Sequence, residues 1–166
     1  GSFSSSHRPI VADWSGFART GNRELEYADV RQAPVWWEFN TDGNFEGWGG
    51  FNQWTDPAVS GGNLSGQSGD DAFVESPPTW FNTNEPTYAW IRMSQTAGSF
   101  GQVFFTTETD PVWDATKSAF FSIVPDGNMT NYFVDLSSSI DTKGVITQIR
   151  LDATIEAGSA IENPLL

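Results

Sequence analysis

The feature that most constrains this chain is its punctuation. From Val35 onward, runs of strand length are broken at regular intervals by residues that form turns. Val35–Phe39 is followed by the turn signal Thr41-Asp42-Gly43-Asn44, where short polar side chains and glycine favour chain reversal. Gly47–Trp54 reads as a strand whose glycines imply a bend or bulge. Ala58-Val59-Ser60 enters a Gly61-Gly62 turn and leaves through Asn63–Gln67. Ala72–Ser76 stops at Pro77-Pro78. Ser118–Val124 stops at Pro125-Asp126-Gly127-Asn128, and Asn131–Leu136 reads as its hairpin partner. Val145–Thr154 is a long strand, and Ser159–Glu162 follows the Ala157-Gly158 turn. No stretch carries a convincing helical period. Eight to ten short strands with regular turns predict an all-β chain, an antiparallel β-sandwich of the jelly-roll kind.

At the centre lies 87–107: Thr-Tyr-Ala-Trp-Ile-Arg-Met-Ser, a Gly-containing loop, then Gln-Val-Phe-Phe-Thr-Thr. It reads as a β-hairpin. Alternation places Ala89, Ile91, Met93, Val103 and Phe105 on one face, which needs a core. Tyr88, Trp90, Arg92, Gln102 and Phe104 fall on the other. A core does not hold Arg92 and Gln102 unpaired, because burying an unpaired charge is costly. A purely solvated face has no use for Trp90 and Phe104. Aromatic rings beside fork-shaped polar groups suit a sugar, whose C–H faces stack on rings and whose hydroxyl pairs take hydrogen bonds. In Val145–Thr154, the alternation puts Val145, Thr147, Ile149, Leu151 and Ala153 on one side. Ile146, Gln148, Arg150 and Asp152 fall on the other, repeating the guanidinium-and-amide theme. If these strands are neighbours, both arginines point into one concave sheet.

The 166 residues allow one domain with a sizeable core. Residues 1–34 show no clean period and read as a linker or the tail of an upstream region, with 35–166 as the sandwich. His7, the sole histidine, sits in that tail, and Gly1-Ser2 reads as an expression scar. The net charge is −13, and seventeen of the twenty-one acids follow Val35, against only Arg92, Lys117, Lys143 and Arg150. Such a surface repels phosphate backbones, which argues against nucleic acid. No apolar run approaches the roughly 20 residues needed to span a bilayer, so no membrane partner is expected. There is no Cys, which rules out a disulfide framework.

Several segments, in order, resemble one family. Trp37-Glu38-Phe39-Asn40-Thr41-Asp42-Gly43-Asn44-Phe45-Glu46-Gly47-Trp48 resembles the opening of the jelly-roll carbohydrate-binding modules of bacterial polysaccharide-degrading enzymes. Val59-Ser60-Gly61-Gly62-Asn63-Leu64 resembles their early hairpin and Ala89–Met93 the strand after it. Pro125-Asp126-Gly127 with Tyr132–Leu136 resembles a late hairpin, and Ile149-Arg150-Leu151-Asp152 the penultimate strand. The likeness covers about residues 36–162. It implies a secreted or cell-surface, non-catalytic module that binds a polysaccharide or oligosaccharide and keeps a catalytic domain of the same parent chain near its substrate. It also implies a structural Ca²⁺ between the first and last strands. Glu38, Asp42 and Glu162 are the expected ligands, since calcium takes six to eight oxygens. The chain departs from the family at its end, where Pro164 cannot donate to a ladder.

The expected glycan ligands are therefore Trp90, Arg92, Gln102, Phe104, Gln148, Arg150 and Tyr88. Trp54 and Trp113, beside Asp56-Pro57 and Asp110-Pro111, join them as rim platforms in loops. Two other classes stay open. An enzyme would need paired carboxylates, such as Glu108 with Asp110 or Glu46 with Glu75. A polysaccharide lyase would use Tyr88 or Tyr132 with Arg92 or Arg150. An adhesion or structural sandwich of a surface protein is the third reading. A histidine-based triad and zinc, copper or iron sites are not expected from a chain with one His and no Cys.

Overall fold

The computed structural model describes residues 36–82, 87–139, 144–154 and 160–162. The expected tail, 1–34, lies outside the described residues. The described residues form nine strands: β1 (Gly49–Ser60), β2 (Asn63–Glu75), β3 (Phe81–Asn82), β4 (Tyr88–Met93), β5 (Phe100–Thr107), β6 (Ser118–Ser122), β7 (Thr130–Asp135), β8 (Val145–Asp152) and β9 (Ala160–Glu162). One sheet runs β1-β2-β8-β5-β6, with β3 on β8 and β9 on β2; β4 and β7 form a second sheet. Every pairing is antiparallel. The fold is a β-sandwich, as expected.

The strand partners differ from the sequence reading. β4 and β5 do not form a hairpin, and neither do β6 and β7. Instead β4 pairs with β7 and β5 pairs with β6, so one pair is nested inside the other in chain order. The chain leaves one sheet after Met93 and enters the other at Phe100. Residues between them are fastened during the crossing: Gln95, fully buried, donates from Nε2 to the Ala153 carbonyl at 2.5 Å, and its backbone carbonyl accepts from Gly127 N–H at 2.8 Å. Gly98, at φ 110°, makes the corner, and a Cβ there would lie 2.3 Å from Thr154 Oγ1. A hairpin and a sheet-to-sheet crossing share the same alternation, because both flanking strands need one apolar face.

That apolar face is as expected. Ala89, Ile91 and Met93 of the small sheet meet Val103, Phe105, Ile149, Leu151, Leu64 and Val74 of the large one in a single core. Gly61 and Gly62, both in the left-handed region, close the tight β1–β2 turn between Ser60 and Asn63.

Three further expectations are corrected. The first strand, Val35–Phe39, is irregular backbone over its described part. Glu46 replaces a ladder there, accepting from the N–H groups of Glu38 (3.0 Å) and Phe39 (2.6 Å) while Phe39 turns to φ 56° and buries its ring. β1 continues past Trp54 to Ser60 with three register shifts, and Gln53 and Asp56 adopt left-handed φ. Pro57 is accommodated because β1 is an edge strand. In β8 the alternation breaks: Thr106 pairs with Gln148 but Thr107 with Ile146, and this bulge turns both Ile146 and Ile149 inward.

Candidate functional site

Because both sheets share one core, the outward residues of each sheet lie on opposite sides of the sandwich. The expected single face is thereby divided. Tyr88, Trp90 and Arg92 point out from the two-stranded sheet, whereas Gln102, Phe104 and Arg150 point out from the large sheet. Arg92 and Arg150 do not share a concave sheet.

On the large sheet, β8 runs between β2 and β5, so Arg150 stands opposite Glu75 on one side and Phe104 on the other. Its guanidinium lies 4.1 Å from the ring centroids of both Phe73 and Phe104, and 6.0 Å from that of Trp113. Nε and Nη2 donate to the two oxygens of Asp152 at 2.8 and 2.7 Å. Two rings and a bidentate carboxylate thus hold the fork in one plane, which suits it to paired hydroxyls. Burial pushes the Asp152 carboxyl above its ordinary value despite the opposing pull of Arg150, and the nearby charge of Asp71 adds to the rise.

The row continues across β5 and β6. Gln102, opposite both Asp152 and Phe120, donates from Nε2 to Ser118 Oγ at 2.8 Å. Phe120 is 62% exposed, a large apolar side chain left at the surface. Gln148 spends its amide on the Ser76 carbonyl at 2.9 Å, extending the β2–β8 tie past the end of β2. Phe73 and Phe120 were missed by the sequence reading, although Phe73 sits between Asp71 and Glu75 in the same aromatic-among-polar alternation that singled out Trp90.

Trp113 does lie in a loop, between β5 and β6, and reaches back toward Arg150. That loop is clamped at its base. Lys117 Nζ, buried, meets Asp110 Oδ2 at 2.8 Å, and Asp110 N–H donates to Thr107 Oγ1 at 3.1 Å. At the loop's far end Thr116 N–H and hydroxyl donate to Asp114, holding its carboxyl below the usual range. Trp54, by contrast, is no loop residue. The bulges of β1 turn it inward over β2, where a Cβ on Gly66 would lie 2.5 Å from its ring, and it packs edge-on against Phe51.

On the small sheet, three cross-strand rows face outward: Tyr88–Asp135, Trp90–Phe133 and Arg92–Asn131. The Trp90 and Phe133 rings lie 6.1 Å apart and within 9° of parallel, and Trp90 Nε1 donates to Asn131 Oδ1 at 3.1 Å. Trp36 meets Trp90 edge-on at 5.7 Å.

The residues expected to hold calcium are otherwise engaged where they are described. Glu38 accepts from Trp36 Nε1 and, at 2.7 Å, from Asn40 Nδ2, while Asp42 accepts from Gly61 N–H at 3.0 Å. The Glu162 side chain lies outside the described residues, and its strand pairs with β2. Among the described residues no three acidic or histidine side chains come together to hold a metal. Of the groups considered for catalysis, Glu46 is committed to backbone amides, Asp110 to Lys117, and Tyr132 faces the core with its hydroxyl accepting from Val124 N–H. No helix among the described residues is long and apolar enough to cross a membrane.

No protein-family model and no curated protein sequence matches the chain. Solved structures do. A family 29 carbohydrate-binding module variant in complex with mannohexaose has a TM-score of 0.54 at 14% identity, over 79% of this chain and 87% of that one. Another variant of that module, with cellulohexaose, gives 0.52 at 14% identity, over 79% and 88%. A further family 29 module gives 0.53 at 16% identity, over 79% and 84%. At these identities the likeness is one of fold, and this chain folds as those carbohydrate-binding modules do.

Proposed function

We propose that this protein is a non-catalytic carbohydrate-binding module that holds a polysaccharide along the outer face of its large sheet. The observation that carries the reading is the Arg150 guanidinium, clamped flat between Phe73 and Phe104, bound to Asp152 and bordered by Trp113. Phe73 and the buried Phe104 hold the fork, Trp113 at its border offers a ring for C–H faces, and the aligned fork offers donors for hydroxyls. Among the described residues Nη1 of Arg150 makes no hydrogen bond, so the fork keeps donors for a ligand. A charge-assisted hydrogen bond contributes about 1.5–3 kcal/mol, so a few of them with one stacked ring give useful affinity. The neighbours in fold that carry mannohexaose and cellulohexaose support neutral hexose chains as the first ligands to try. In this role the module is extracellular and keeps an attached catalytic domain near its polymer.

The test is native affinity electrophoresis in gels containing soluble mannans, glucans and polyuronates, with Arg150→Ala and Trp113→Ala beside the parent and reducing-end release measured in parallel. Retardation by at least one neutral polysaccharide, weakened in both variants and without product release, is expected. Absence of retardation in every gel, or release of sugar ends, would overturn the reading.

A further inference from the structure

The outer face of the two-stranded sheet is left unexplained by a ligand on the large sheet, yet it is built of similar parts. Its middle row is two aromatic rings, Trp90 and Phe133, within 9° of parallel. The row on one side has Tyr88 beside Asp135, whose carboxylate accepts from the Ser137 N–H and hydroxyl, and the row on the other offers Arg92 and Asn131. Adjacent rows on one strand face are about 6.8 Å apart, two residues of strand rise. A ring platform flanked within one sugar's reach by hydrogen-bonding groups is thereby repeated on the opposite side of the core.

Trp90 is half-buried against the edge of Trp36, and the residues around it are open to solvent. Tyr88 is 41% and Phe133 53% exposed, and Arg92 and Asn131 are exposed. Arg92 has no ion-pair or hydrogen-bond partner among the described residues, in a chain of net charge −13 where structural arginines have many acids to choose from. The indole N–H of Trp90 is already satisfied by Asn131, which orients the ring without help from a ligand.

The dimensions decide what the ligand is. Six residues of strand and two strands of width give a face of about 20 by 10 Å. That is about 200 Å², well short of the roughly 800 Å² per partner that a stable protein interface buries. A protein interface core is also depleted in charge, whereas here a guanidinium and a carboxylate flank the rings. A narrow strip of rings with polar margins fits an extended glycan, and the acidic surroundings exclude a polyanionic one.

The geometry points to a second glycan-binding face, made by Tyr88, Trp90, Phe133, Arg92 and Asn131, so that one module grips two neutral polysaccharide strands on opposite sides of its core. This rests on the reading of the chain as a glycan-binding module. Such a module bridges neighbouring chains of a polymer instead of only docking on one.

Calorimetric titration of the full chain with mannohexaose and with cellulohexaose tests it, together with the turbidity that the protein induces in a soluble neutral galactomannan. Arg92→Ala and Tyr88→Ala change exposed side chains, so the fold is not at risk, and Arg150→Ala serves as the opposite-face control. Two sites per chain are expected with at least one hexaose. Arg92→Ala and Tyr88→Ala each weaken one site by about tenfold, Arg150→Ala weakens the other, and every single variant loses the turbidity while still binding. One site per chain, lost in Arg150→Ala and unchanged in Arg92→Ala and Tyr88→Ala, would overturn the second face and leave the large-sheet reading standing. One site that responds to Arg92→Ala but not to Arg150→Ala would overturn both the bridging and the large-sheet site. No binding of any probe would overturn the whole reading.

Discussion

Arg150 and Asp152 stand two residues apart on the outer face of β8 and form a bidentate pair, Nε to Oδ1 at 2.8 Å and Nη2 to Oδ2 at 2.7 Å. Both side chains are largely covered, at 15% and 8% exposure. The pair therefore sets the direction of the guanidinium more firmly than a surface ion pair would, and the ring centroids of Phe73 and Phe104 each lie 4.1 Å from it.

A lysine at 150 keeps the charge but has neither the fork nor the flat surface. Arg150→Lys is expected to weaken retention on a retarding polysaccharide by about tenfold, the equivalent of one charge-assisted hydrogen bond. Affinity electrophoresis measures this directly. Full retention in the lysine variant would show that charge alone suffices at this position.

The pH dependence at Asp152 has a definite sign. Burial raises its folded carboxyl above the ordinary 3.8, with Arg150 opposing. The folded chain then holds this proton to higher pH than the unfolded chain does. The stability that the group contributes is full below the unfolded value and is lost as pH rises through the folded one. Asp152→Asn keeps an acceptor for Arg150 but cannot ionise. It is expected to gain on the parent as pH rises from about 4, read by urea denaturation in steps up to neutrality. A parent that gains on the variant over that interval would reverse the argument.

The Asp110–Lys117 clamp is asymmetric, since Lys117 is 3% exposed and Asp110 56%. Removing the acid strands a buried ammonium, while removing the base leaves a carboxylate that water can reach. Asp110→Ala is accordingly expected to cost about 1–3 kcal/mol and Lys117→Met less. Equilibrium denaturation of both variants ranks them, and the opposite order would mean that the Lys117 environment already satisfies its charge.

Gly101 of β5 faces the core where two elements close on it. A Cβ there would lie 2.4 Å from the Phe121 ring and 2.9 Å from the Ala153 carbonyl, and the second neighbour is backbone. Gly101→Ala is expected to destabilise the fold by about 1–3 kcal/mol through overpacking. A lower denaturation midpoint at unchanged slope is the signature to look for.

Much of the fold is legible in the chain because buried and exposed residues alternate in β4, and the same period picks out the core side of β5, whose other side is also covered. Ala89, Ile91, Met93, Val103 and Phe105 are all fully buried, as their spacing requires. Legibility failed wherever a bulge intervened. Asp56-Pro57 beside Trp54 suggests a loop, but an edge strand tolerates both and swings the ring inward over Gly66. Alternation puts Ile146 on the Arg150 side, but one unpaired residue in β8 reverses the parity and turns it into the core. Within the candidate site, alternation alone gives Phe104 and puts Arg150 beside Asp152, whereas Phe73 joins them only because β2 borders β8.

From its residues alone the chain determined that it is all-β, where its turns fall, and which side chains turn away from water. Those are properties of a few neighbouring residues, set by period-two alternation and by glycine and proline. The tertiary structure decided which sheet each strand joined, and so whether Trp90 and Arg150 share a face. Pairing joins segments far apart in the chain, and either partner satisfies the same apolar pattern. Only the crossing at Gln95–Gly98, fastened to Ala153 and Gly127, carries β4 and β5 into different sheets and sets the two aromatic faces on opposite sides of the core.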